Sequence, residues 1–134
     1  MFIDNKYKLK TGDILLFDNK GGGIMGIFSS LIKKITKSDI SHIAMVLKDP
    51  DFIDPPLKGI YVWESNYEGK PDPQDGIIKF GVQITPLEEI LDYYRKNKSK
   101  VFVRKIICYP SLFSKNNLED IHKVVYNKVY DIKI

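Results

Sequence analysis

A chain of 134 residues with 43% hydrophobic and 28% charged content has the size and make-up of one compact globular domain with its own core. It contains no run of eighteen apolar residues, which excludes a membrane-spanning helix from the expected elements. Its formal charge of +4 is spread among acids, and its single cysteine, Cys108, excludes an internal disulfide.

Those features set the expected surroundings. Residues 1–6 lack a basic stretch followed by an apolar one, so no signal peptide is expected. With a lone thiol, this predicts a cytoplasmic protein. Lys33, Lys34 and Lys37, and then Arg95, Lys96, Lys98 and Lys100, gather near predicted helix ends. Cations there complement the helix dipole, and no nucleic-acid motif accompanies them, so no nucleic-acid partner is expected. No internal repeat or linker interrupts the chain, and residues 1–134 read as a single domain.

Taken in order, Thr11-Gly12-Asp13 reads as a turn in which Asp13 bonds local backbone N–H groups. Residues 14–17 read as a short buried strand, and the glycines at 21–23 as a loop. The loop is not a phosphate cradle, since no Gly-Lys-Ser/Thr follows it. Ile24, Ile27, Phe28, Leu31, Ile32 and Ile35 recur at helical spacing and predict an amphipathic helix. Residues 42–47 form the next strand, with His42, Ala44 and Val46 on one face and Ile43, Met45 and Leu47 on the other.

The prolines at 50, 55 and 56 make a loop, after which strand character returns over 60–65. An antiparallel hairpin about Ile53 sets His42 opposite Glu64 on one shared face, and a slip of two residues would keep that face. Residues 69–76 read as a loop and 77–84 as one strand or two. Thr85-Pro86-Leu87-Glu88 reads as a capping box with Pro at the first helical position. It opens a helix whose inward face is Leu87, Ile90, Leu91 and Tyr94. Residues 101–108 read as a strand, with Cys108 packed in the core. A last helix from 116 turns Leu118, Ile121, Val124 and Val125 inward, and 129–134 follow without a stop signal.

The chemistry-bearing residues are few. His42 and Glu64 on neighbouring strands suit a base and the group that orients it. His122, between Ile121 and Lys123, reads as solvent-exposed, and Trp63 and Tyr61 as core aromatics. Cys108 has neither a helix start nor a predicted imidazole beside it, so it does not read as a nucleophile. His42, His122 and Cys108 lack metal-ligand spacing, and neither metal nor cofactor is expected.

Residues 9–17 (Leu-Lys-Thr-Gly-Asp-Ile-Leu-Leu-Phe), Ser41-His42-Ile43-Ala44-Met45-Val46, Trp63-Glu64-Ser65, and Gly81-Val82 with Pro86-Leu87 occur in a recognisable order. The set resembles the permuted NlpC/P60 group of papain-like cysteine hydrolases, including its bacterial YiiX-like and viral members, and it covers nearly the whole chain. The resemblance implies a papain-like α+β fold with an antiparallel sheet and flanking helices. It also implies a Cys-His-Glu triad in which His42 is the base and Glu64 the third member. Amidase, peptidase or acyl-ester chemistry on peptide or lipid-linked substrates would follow. In such relatives the thiol opens a helix after a Tyr-Asp segment like 126–132, so its expected place is beyond Ile134. The alternative implied by the resemblance is a catalytically inactive ligand- or lipid-binding relative.

Overall fold

The computed structural model describes residues 8–18 and 39–131. Five strands form one antiparallel sheet: β1 (Ile14–Asp18), β2 (His42–Lys48), β3 (Ile60–Pro71), β4 (Ile78–Pro86) and β5 (Lys100–Arg104). Their order across the sheet is β4-β3-β2-β1-β5. Two α-helices lie among the described residues, α1 (Leu87–Lys96) and α2 (Lys115–Val125). The predicted glycine loop at 21–23 and the amphipathic helix over 24–35 fall outside the described residues. No helix of the described residues is long and apolar enough to cross a membrane.

Strand alternation divides the core into two layers. One face carries Leu15, Phe17, Ala44, Val46 and Val62, and packs on Leu87, Ile90, Leu91 and Tyr94 of α1. The other carries Leu47, Trp63 and Ile84, and packs on Phe52, Ile53 and Leu118 of α2. Full burial of an aliphatic side chain is worth roughly 1.5–3 kcal/mol. Four buried residues therefore seat α1 firmly, whereas Leu118 is the one fully buried residue of α2. Ile121 and Val124, expected to face inward, are 50% and 68% exposed. The inward face of α2 instead runs through Leu118, His122 and Val125, which is a different stripe at the same helical period.

Several boundaries move for reasons of pairing. β3 runs to Pro71, well past the expected end at Ser65, because β4 pairs with it as far as Pro71↔Ile78 around a bulge. Thr85 does not cap α1. The ladder holds it opposite Val62 as a strand residue, and Pro86 becomes the N-cap, with Glu88 and Glu89 in the first turn. β5 ends at Arg104 rather than Cys108, since β1 supplies no partner beyond Ile14↔Arg104. Past that point the buried Asp13 carboxylate accepts from Ile106 N (3.2 Å), Lys10 N (3.0 Å) and the Lys105 ammonium. The expected local bonding of Asp13 is thus only part of its role, because it also ties the first turn to the strand exit.

The segment after α2 adds to the outer edge of β4. Val82 N donates to Lys128 O (2.9 Å), Tyr130 N donates to Phe80 O (3.1 Å), and Val129 bridges Gly81. Glycine at 81 permits this approach, since a Cβ there would stand 2.2 Å from Lys128 O. Gly81→Ala is expected to detach residues 128–130 and cost about 1–3 kcal/mol, as overpacking does. Thermal unfolding would register the loss, and exchange at the Tyr130 amide would accelerate. Unchanged protection at Tyr130 would contradict the account.

Candidate active site

His42 is the first residue of β2, directly opposite Phe17 of β1, and their rings stack at 5.4 Å. Phe17 in turn stacks on Tyr94 of α1 at 4.6 Å. This aromatic column sets the imidazole plane on the α1 side of the sheet and leaves its side chain 12% exposed. Glu64 of β3 shares that face, with a fully buried side chain, and its Oε1 lies 2.6 Å from His42 Nε2.

The pair is diagonal rather than directly opposed. Met45 stands opposite Trp63 and Lys48 opposite Ile60, so the register is two residues away from the expected one. Asp49 and Gly59 impose that shift by closing the hairpin. Asp49 N donates to Gly59 O and Gly59 N donates to Asp49 Oδ1, each at 2.8 Å, with both residues at positive φ. A slip of two preserves the face, which is why the imidazole and the carboxylate still meet.

An ionised carboxylate only accepts, so in the neutral ring the proton sits on Nε2 and donates to Glu64. Nδ1 then keeps its lone pair, which is the state a general base requires. No metal-like cluster of three His, Cys, Asp or Glu side chains occurs among the described residues.

Beyond this pair stands a group that reading the sequence did not single out. Glu68 follows Glu64 and Asn66 on the same face of β3, and its carboxyl lies against that of Glu64. Asn66 Nδ2 donates to Glu68 Oε1 at 3.0 Å. Burial, and then the Glu64 charge beside it, push the Glu68 carboxyl up to about 9. Burial, with the charges of Glu68 and Glu64, also raises the Tyr94 phenol above its ordinary value. The available signal was the uninterrupted alternation Glu64, Asn66, Glu68, which continues the strand where a loop was expected to begin.

The remaining candidates lie elsewhere. Cys108 is half-buried off the sheet, in a pocket with Lys10, Thr11, Ile106, Pro110 and Phe113, rather than in a core strand. Thr11 Oγ1 accepts from Lys48 N at the far end of β2. Six strand steps at about 3.3 Å each, about 20 Å in all, separate Lys48 from His42, and the Cys108 pocket lies at the Lys48 end. His122 is not a free surface residue. Its Nε2 donates to Gln74 Oε1 at 2.7 Å, and its ring meets Phe52, Trp63 and Tyr126. Burial, with the Lys79 charge nearby, lowers its pKa and favours the neutral ring. Gln74 in turn donates to Asp72, Tyr126 donates to Asp75, and Lys79 pairs with both carboxylates at 2.9 and 2.7 Å. This network compensates for the thin apolar contact of α2.

Trp63 packs against Phe52 in the second layer, and Tyr61 is partly buried there. On that same face, Ile43, Met45, Trp63, Val82, Ile121 and Val125 line an apolar groove of about 340 Å³. No protein-family model matches the chain, and neither does any curated protein or solved structure.

Proposed function

We propose that this chain carries the base and orienting group of a papain-like thiol hydrolase of the permuted NlpC/P60 type. The observation that carries the reading is the 2.6 Å contact between His42 Nε2 and the buried Glu64 carboxylate. In the reaction, His42 Nδ1 takes the proton of a thiol and the thiolate adds to an acyl carbonyl carbon. The tetrahedral adduct then expels an amine, alcohol or thiol, which receives the proton back from His42. Water, deprotonated by the same nitrogen, releases the acid and restores the thiol. Peptide or lipid-linked acyl groups are the substrate classes the resemblance supplies.

The position of the Cys108 pocket at the Lys48 end of β2, the end opposite His42, argues against that thiol as the nucleophile. By the family pattern it belongs to sequence following the Tyr-Asp segment. Residues 128–130 run antiparallel to β4, and therefore head toward the sheet end at which β2 begins with His42. That direction is consistent with delivery of a later thiol to Nδ1.

The test supplies the missing group in trans. A small alkyl thiol and an activated acyl ester are incubated with the full chain, and the thiol-dependent release of the leaving group is followed. The expected result is turnover that His42→Ala lowers by about 10²- to 10⁴-fold, the range for a positioned general base. Thiol-dependent turnover that survives His42→Ala would remove the imidazole from the mechanism.

The apolar groove beside the sheet, which also touches Glu64, favours a second reading, a relative that holds an acyl ligand without turnover. Saturable binding of the ester with no His42-dependent release would select that reading.

A further inference from the structure

We propose that Glu68 is a positioning residue of this site, its carboxyl hydroxyl donating to Glu64 Oε2 and thereby holding Oε1 on His42 Nε2. The catalytic consequence rests on the function proposed above, whereas the carboxyl–carboxylate contact stands without it. Three observations lead here. Glu64 Oε2 is buried and, among the described residues, has no hydrogen-bond donor from an amide, hydroxyl or cationic group. Asn66 Nδ2 occupies one Glu68 oxygen at 3.0 Å, which leaves the other for Glu64, four residues back on the same face. Glu64 acts on Glu68 through its charge and through a side-chain hydrogen bond, and each raises the Glu68 carboxyl.

A buried acceptor without a donor costs about 1–3 kcal/mol, and two ionised carboxylates in contact cost more. One shared proton removes both penalties. The asymmetry decides where that proton sits. His42 on β2 lies 2.6 Å from Glu64 Oε1, while Glu68 has Asn66 and, more weakly, Lys70. Lys70 is itself drawn to Glu89 of α1 at 3.7 Å and is mostly exposed. Tyr94 of α1 faces both carboxyl groups and, as a neutral phenol, contributes no charge. Burial and the Glu64 charge thus keep the proton on Glu68 until about pH 9.

The sign follows directly. A carboxyl group raised in the folded state adds stability that is complete below its unfolded value, about 4.3, and is lost as pH rises through about 9. Above that pH the Oε2 donor disappears, a second anion appears beside Glu64, and the carboxylate is no longer held against the ring.

The experiment reads protonation and ring state directly on the full chain. Infrared difference spectra should show a carboxylic-acid C=O band at pH 7 that vanishes above pH 9 and is absent from Glu68→Gln. Nitrogen-15 shifts of the His42 ring should show the Nε2–H tautomer retained in Glu68→Gln, whose amide still donates, and several-fold depleted in Glu68→Ala. The wild-type pH series requires no variant, so a poorly folding Glu68→Ala does not remove the test. Absence of the acid band at pH 7, or a ring tautomer unmoved in Glu68→Ala, would overturn the proposal. If the band and the tautomer behave as expected while no variant shows thiol-dependent turnover, the positioning contact holds and the hydrolase reading fails.

Discussion

Replacing Glu64 by Gln is expected to slow His42-dependent acyl transfer to an added thiol by about 10²- to 10⁴-fold, with the sheet left standing. The carboxylate presents only acceptors to the ring, so Nε2 carries the proton and Nδ1 the lone pair. A primary amide presents a donor as readily as an acceptor. Turned with its NH₂ toward Nε2, it draws the ring proton to Nδ1 and extinguishes the base without moving it. The substitution preserves volume in a fully buried position, so a cavity does not account for the effect. Thermal unfolding of the variant checks the fold, and nitrogen-15 shifts of the ring report the tautomer. Full activity in Glu64→Gln would show that the carboxylate is an incidental neighbour of the ring.

The second large effect is on stability and lies at the other end of the sheet. Asp13→Ala strips the acceptor from Lys10 N and Ile106 N and leaves the Lys105 ammonium without its buried partner. At about 1–3 kcal/mol for each of the two orphaned backbone donors, the expected loss is roughly 2–6 kcal/mol. Lys105 adds little, being half exposed and still bonded to Lys8 O. A loss of that size is a large share of the stability of an ordinary domain.

Burial acting alone would raise the Asp13 carboxyl. The Lys105 contact and the two backbone donors outweigh it and hold the group below its ordinary value. Its contribution is therefore complete above the unfolded carboxyl value, near pH 4, and is lost as pH falls through the lower folded value. Urea unfolding of wild type and Asp13→Ala at pH 7 and pH 3 measures both quantities. The gap between the two proteins should narrow at the lower pH. A gap that is absent at pH 7, or that widens on acidification, would refute this role.

Much of the site's placement was legible before any coordinates. Alternation in residues 42–47 and 60–65 assigns His42 and Glu64 to faces, and a hairpin makes those faces one. What failed was the register, because the loop was centred from its prolines. The closing pair Asp49 and Gly59, a residue type that tolerates positive φ and one that welcomes it, carried the missing signal. His122 was misplaced for a related reason. A helix with Leu118, Ile121, His122, Val124 and Val125 offers two overlapping stripes, and hydrophobicity selects the one without the histidine. The polar loop bearing Asp72, Gln74 and Asp75 made the other stripe the better fit.

Local period and turn chemistry alone determined the antiparallel strands at 14–17, 42–47 and 60–65, the apolar stripe of α1, and the common side of the imidazole and its carboxylate. Only the tertiary structure decided the diagonal contact, the company of Glu68, and the removal of Cys108 to the far end of β2. The physical reason is that backbone geometry dictates which way a side chain points from its own chain. Which group it meets, and whether that meeting happens in water or out of it, depends on segments dozens of residues away.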